Sequence, residues 1–198
     1  MKKGTIVILA VVAALGLWGI SGYNRLVGLD QAVQGQWAEV ENAYQRRADL
    51  IPNLVETVKG AANFERGTLT AVTEARARVG QISPQATEKI VNDPAAFQRF
   101  QQAQDGLSSA LSRLLVVSEA YPDLKATAAF RDLQAQLEGT ENRIAVARMR
   151  FNEAAQAFNS ARNRFPTVVV AGLFGNRFAE KVYFKAQAGA ATVPQVKF

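Results

Sequence analysis

Large side chains recur every seven residues near the C-terminal end of the chain: Phe130, Leu137, Ile144, Phe151, Phe158 and Phe165. Between them stand Leu133, Thr140, Ala147, Ala154 and Ala161, so one seam position is large and the other mostly small. At about 3.6 residues per turn, an interval of seven returns to nearly the same helix face, and such a seam packs closely against neighbours. The spacing predicts a helix over 127–165, roughly 58 Å long at about 1.5 Å per residue. Pro166 ends it.

The partners that such a helix needs lie upstream. Phe97, Phe100, Gln104, Leu107, Leu111, Leu114, Ser118 and Tyr121 keep the same three-four spacing, with Asp93 as N-cap and Pro94 at the first helical position. The stretch AYPDLKA turns this helix into the next, and a short link of that kind joins antiparallel neighbours. A first helix starts near Asn24, with a seam of Val33, Trp37, Val40, Tyr44, Arg47, Ile51, Leu54 and Val58. After Gly60 the phase continues through Ala61, Glu65, Thr68, Val72 and Val79. Either residues 60–63 form a turn with Asn63 capping a second helix, or one kinked helix runs to about Gly80; a compact bundle favours the turn. The stretch 81–92 is polar and holds Pro84, so it is a loop. No strand-like alternation occurs. The fold expected is all-α: an N-terminal transmembrane helix (1–23), an antiparallel bundle of three to four long helices (24–165) and a non-bundle C-terminal tail (166–198).

The first residues read MKKGTIVILAVVAALGLWGISGYN, a basic start followed by an uncharged run from Gly4 to Ile20. Seventeen helical residues reach roughly 25 Å, enough to span a bilayer once residues 21–23 are added. Ile6, Val7, Ile8, Leu9, Val11 and Val12 form the apolar body with Leu15, Leu17 and Ile20, while Trp18 and Tyr23 are rings suited to the interface. The run ends in Trp18 and Tyr23 with no convincing cleavage site, so an uncleaved single-pass anchor in the plasma (inner) membrane is expected. Lys2 and Lys3 precede the span and Arg25 alone follows closely, a bias that favours a cytoplasmic N-terminus and a periplasmic domain.

Composition narrows the chemistry. The chain has no cysteine and no histidine, which removes thiolate nucleophiles, disulfides, Cys/His zinc sites and imidazole acid/base catalysis together. Glu138 and Glu141 share a helix face, but carboxylate-bridged metal bundles add Glu-x-x-His motifs, so solvated or salt-bridged carboxylates are expected. Neither a Gly-x-Ser-x-Gly turn nor a phosphate loop with its lysine is present. Neither catalysis, nor a cofactor, nor a small-molecule substrate is expected. The net charge of +6 is concentrated at the C-terminal end, where residues 162–198 carry six cations against Glu180 alone. Arg76 and Arg78, or Arg148 and Arg150, lie two apart and so point to different helix faces, which argues against nucleic-acid binding.

RRADLIPNLVETVKG, TEARARVGQ, AYPDLKA, FRDLQAQLEGTENRIAVARMRFNEAAQAFNSARNRFP and the closing AGLFG with YF together resemble the LemA family, from about Tyr23 to Phe184. The resemblance implies one N-terminal membrane helix followed by an antiparallel α-helical bundle. It also implies an N-terminus outside the cell, opposite to the charge bias. It supplies no catalytic residues.

Two stretches stand apart from the regular pattern. In RRADLIPNLV, Arg46 falls on a polar stripe, whereas Arg47 falls on the apolar seam and needs a partner there. Glu141, or another carboxylate on the last helix, is the partner expected by elimination. Pro52 removes the hydrogen bond to the carbonyl of Ala48 and leaves that oxygen for a donor from a neighbouring helix. A bend at Pro52 and the seam charge of Arg47, paired with Glu141, are together read as a device that sets helix register. The second stretch is the tail, which is apolar, glycine-punctuated and basic. It either straps back over the bundle or offers Val168, Val169, Val170, Leu173, Phe174 and Phe178 to another subunit or the lipid bilayer, with Arg177, Lys181 and Lys185 facing anionic groups. The function expected is a membrane-anchored scaffold that forms homo-oligomers; the alternative is an accessory subunit whose partner is a membrane protease or transporter.

Overall fold

A computed structural model of the chain describes residues 3–60, 64–82 and 90–185, and every regular element among them is helical. The apolar start and the first bundle helix are one element, α1 (Lys3–Lys59). It is followed by α2 (Arg66–Ile82), a 3-10 turn at Ile90–Asn92, α3 (Pro94–Ser118) and the short α4 (Pro122–Ala126). Then come α5 (Ala128–Asn163), α6 (Thr167–Leu173) and a second 3-10 turn at Gly175–Phe178. The first part of α1 is long and apolar enough to cross a membrane, and none of that stretch is buried.

Local chemistry sets the boundaries. The Asp93 carboxylate accepts from the amides of Ala95 and Ala96 at 2.9 and 3.1 Å, and Pro94 has no N–H to satisfy, so α3 starts there. Thr127 starts α5 by accepting from the Phe130 amide at 3.3 Å. Helix α1 ends at Lys59 and α2 begins at Arg66, so residues 24–80 form two helices. The cap expected at Asn63 and the turn at Pro84 lie outside the described residues. Both ends of the expected loop 81–92 are helical: Gln81 and Ile82 complete α2, and the 3-10 turn Ile90–Asn92 has Ile90 and Val91 buried.

Helix α5 runs antiparallel to α1, since Trp37 meets Phe151 while Arg47, further along α1, meets Glu141. Helix α3 runs parallel to α1, with Phe97 on Trp37, Phe100 on Tyr44 and Gln104 on Arg47. The apolar core falls into two clusters along this axis. The membrane-proximal one joins Leu26, Val33 and Trp37 of α1 to Phe97, Phe151 and Phe158. The distal one joins Ile51, Leu54 and Val58 to Val72 and Val79 of α2, Leu107 and Leu114 of α3, and Phe130 and Leu137 of α5. The heptad seam holds as far as Phe158. Beyond it Phe165 is 84% exposed, and Ala155 rather than Ala154 is fully buried. The helix expected over 127–165 ends at Asn163, Arg164 is extended, and Phe165 stands in the turn before α6, so it has left the α5 seam while Phe158 and Ala161 remain buried.

The tail straps back over the bundle. Instead of standing apart, residues 167–185 are packed into it, with Val170, Phe178, Lys181 and Phe184 all buried. The physical reason lies in α2, whose apolar buried residues all belong to the distal cluster. Near the membrane the fourth position beside α1, α3 and α5 is open, and the tail fills it. Phe184 sits 4.7 Å from Phe97 and 5.6 Å from Phe151, ring centroid to centroid. Two asparagines on α5 hold the non-helical stretch in place. Asn159 accepts from the Lys181 amide and donates to the Lys181 carbonyl, each at 2.8 Å. Asn152 does the same for Phe184, at 2.9 and 3.0 Å. Seven helical residues and three extended ones both cover roughly 10 Å, so the two clamps match in length.

Asn159→Ala leaves the Lys181 amide and carbonyl without these partners in a buried site. Thermal unfolding of the detergent-solubilised chain is expected to show a loss of about 2–3 kcal/mol, with faster proteolysis near residues 179–185.

Candidate functional site

Between the two apolar clusters lies a polar layer built around Arg47, whose side chain is 1% exposed. Its position follows from the α1 seam, which carries the guanidinium inward between Tyr44 and Ile51. Arg47 Nη1 donates to Ser108 Oγ at 2.6 Å and to Glu141 Oε1 at 2.8 Å. Its Nη2 donates to the backbone carbonyl of Gln104 at 3.2 Å and to the Gln104 side-chain oxygen. The guanidinium carbon also lies 5.1 Å from the Tyr44 ring centroid, within cation–π range. The ion pair is asymmetric: Glu141 is 45% exposed, so the carboxylate stays hydrated while the cation does not.

A second arginine extends the layer. Arg148 Nε donates to the Tyr44 hydroxyl at 2.6 Å, and Arg148 Nη2 lies 3.2 Å from Asp105 Oδ1. Burial pushes the Tyr44 phenol above its ordinary value of 10.0, against the opposing pull of Arg148 and Arg47. At neutral pH it is therefore a neutral phenol, free to accept from Arg148. One ring thus links α1 to both cationic groups.

The structure places Pro52 on the exposed side of α1, which runs through it without a break. The Ala48 carbonyl that the proline cannot serve accepts instead from Arg76 Nε of α2 at 3.2 Å. Arg47 and Glu141 are brought together, and Pro52 acts one turn away through Ala48. Glu138, the other acidic residue of that face, accepts from Gln134 at 3.1 Å.

The tail residues divide. Val168, Val169, Leu173, Phe174, Arg177 and Lys185 are exposed, whereas Val170 and Phe178 face the core. Lys181 is corrected from a surface cation to a buried one, 2% exposed, paired with Asp30 and donating to Asn92 at 2.7 Å. The anchor residues Ile6, Val7, Ile8, Leu9, Val11, Val12, Leu15, Leu17 and Ile20 are exposed, Trp18 is at the edge of exposure, and Tyr23 packs on Phe174. Sequence reasoning misses Arg148, Asp105, Ser108, Asp30 and the two clamping asparagines. Gln104 and Thr140 carry a signal: both are polar residues at seam positions, and both are buried.

Chemically, this layer joins α1, α3 and α5 through hydrogen bonds and ion pairs. Glu141 and Asp105 each turn one carboxylate oxygen to a guanidinium, and among the described residues no group of three His, Cys, Asp or Glu side chains that could hold a metal ion converges.

The sequence profile of the LemA family matches residues 36–198. The magnetosome protein MamQ of Magnetospirillum gryphiswaldense is 24% identical over 216 residues, covering 99% of this chain and 79% of its own length. Magnetosome protein MamQ 2 of Paramagnetospirillum magneticum is 26% identical over 199 residues, 93% of this chain and 72% of its own. Protein LemA of Metamycoplasma hominis is 24% identical over 148 residues, 75% of this chain and 63% of its own.

Two substitutions probe the layer. Arg47→Ala strands Gln104 and Ser108 and opens a cavity, so a loss of about 3–5 kcal/mol is expected in chemical denaturation. Pro52→Ala restores the helix's own donor to Ala48 and stabilises by up to about 3 kcal/mol. In that background Arg76→Leu costs less than in the parent, a coupling that a double-mutant cycle measures.

Proposed function

The chain belongs to the LemA family, and on that premise we propose that it is a single-pass membrane-anchored scaffold that assembles with its own copies in the membrane plane. It works by presenting helix faces rather than by catalysis. The observation that carries this is the continuity of α1 from Lys3 to Lys59. Its apolar first part is exposed, and its second part is buried along one stripe against α3 and α5. A single helix of this kind transmits the position of the anchor directly to the bundle. The alignment with MamQ over 99% of the chain takes in both anchor and bundle, which supports a common architecture.

The surface offered for copy-to-copy contact is the open groove between α1 and α5, about 430 Å³ in volume. Ala43, Val146 and Ala147 line it, with Arg46, Arg143 and Arg150 at its sides. Val146 and the nearby Met149 are exposed apolar residues on α5. The charge bias of Lys2 and Lys3 supports a bundle on the periplasmic side of the inner membrane.

Light scattering coupled to size-exclusion chromatography on the full chain in detergent is expected to give a mass of several copies, reduced by Val146→Glu with Met149→Glu. A strict monomer at every concentration overturns self-assembly.

A further inference from the structure

Helix α6 is apolar on both faces. Its sequence, TVVVAGL, contains no charged residue. One face, with Thr167, Val170 and Ala171, is buried in the bundle. The opposite face presents Val168, Val169 and Leu173, the last 79% exposed, and Phe165 continues that stripe at the preceding turn. A helix that is hydrophobic all round belongs in a protein core or in lipid, and the bundle covers only half of this one.

Its height along α1 identifies what covers the rest. A Cβ added at Gly22 would lie 3.3 Å from Val170 Cγ2, and the Tyr23 ring centroid is 4.8 Å from that of Phe174. Gly22 and Tyr23 are where about 20 apolar residues counted from Gly4 reach the far edge of the hydrocarbon. Helix α6 therefore stands beside the anchor at the level of the bilayer surface. Exposed cations surround it: Arg25 and Arg164, with Arg177 5.7 Å from the Tyr23 ring.

We propose that α6 and the turn after it form a second, interfacial membrane contact, in which Phe165, Val169, Leu173 and Phe174 enter the acyl boundary while Arg164 and Arg177 meet lipid phosphates. This rests on the anchored reading of α1 and adds to it. The bundle is seated on the bilayer by two contacts, so it does not pivot on a single helix. The level of α6, beside Gly22 and Tyr23 at the end of the anchor, favours lipid over a second copy as the occupant.

The chain has no cysteine, so single-cysteine variants report position directly. Leu173→Cys, Leu9→Cys and Val116→Cys, each carrying a bimane label, are placed in nanodiscs of phosphatidylcholine and phosphatidylglycerol holding one chain per disc. Val116 is exposed near the distal end of α3, and Leu9 lies within the span. Expected is a Leu173 label quenched several-fold more strongly by lipid bearing a shallow nitroxide than the Val116 label, and less by aqueous iodide. A Leu173 label that matches Val116 while Leu9 is quenched by lipid overturns the inference and leaves the anchor standing. A Leu173 label shielded from both quenchers also overturns it, because protein then covers the site. A Leu9 label that lipid does not quench removes the anchor reading and the inference together.

Discussion

A guanidinium taken out of water must find acceptors, at an effective penalty of several kcal/mol if it does not. Arg47 finds them on two other helices at once: Gln104 and Ser108 on α3, and Glu141 on α5. Sliding either helix by one turn, about 5.4 Å, would strand the cation. In the observed register Trp37 meets Phe97 and Phe151 on one side of the layer, and Leu54 shares a cluster with Leu107, Leu111 and Leu114 of α3 on the other. Removing one partner of a buried ion pair is costly because the other charge is left uncompensated, and here it is the cation that is enclosed while Glu141 stays 45% exposed.

The same layer marks where the bundle changes composition. On its distal side the fourth position belongs to α2; on its proximal side it belongs to the tail, far later in the sequence. Asn152 and Asn159 make the exchange possible, since each side-chain amide supplies both a donor and an acceptor to the tail backbone. Gly22 then allows α6 close against α1. The charge of Lys181, neutralised by Asp30, is enclosed with it.

Much of the architecture is legible from spacing. The seam residues of α1, α3 and α5 follow from three-four periodicity, and Arg47 stands out because a charge interrupts it. Periodicity reports which face a residue occupies and not which residue it meets, so Glu141 follows only by elimination and Arg148 reads as surface. The tail is harder. Its last described stretch has no helical period, and Asn152 and Asn159 look like ordinary polar residues until a backbone lies against them. Phe165 misleads in the other direction, because the seven-residue count runs on past Asn163, where α5 ends and Arg164 turns extended.

One unbroken helix couples the anchor to the bundle, although Gly16, Gly19, Gly22 and Gly28 all lie within it. Pulsed electron paramagnetic resonance between spin labels at Val12→Cys and Glu39→Cys, in lipid nanodiscs, measures that coupling. A continuous helix predicts one narrow distance distribution centred near 40 Å, at about 1.5 Å per residue. A broad or bimodal distribution reaching to much shorter distances would reveal a hinge at the membrane surface and contradict rigid coupling.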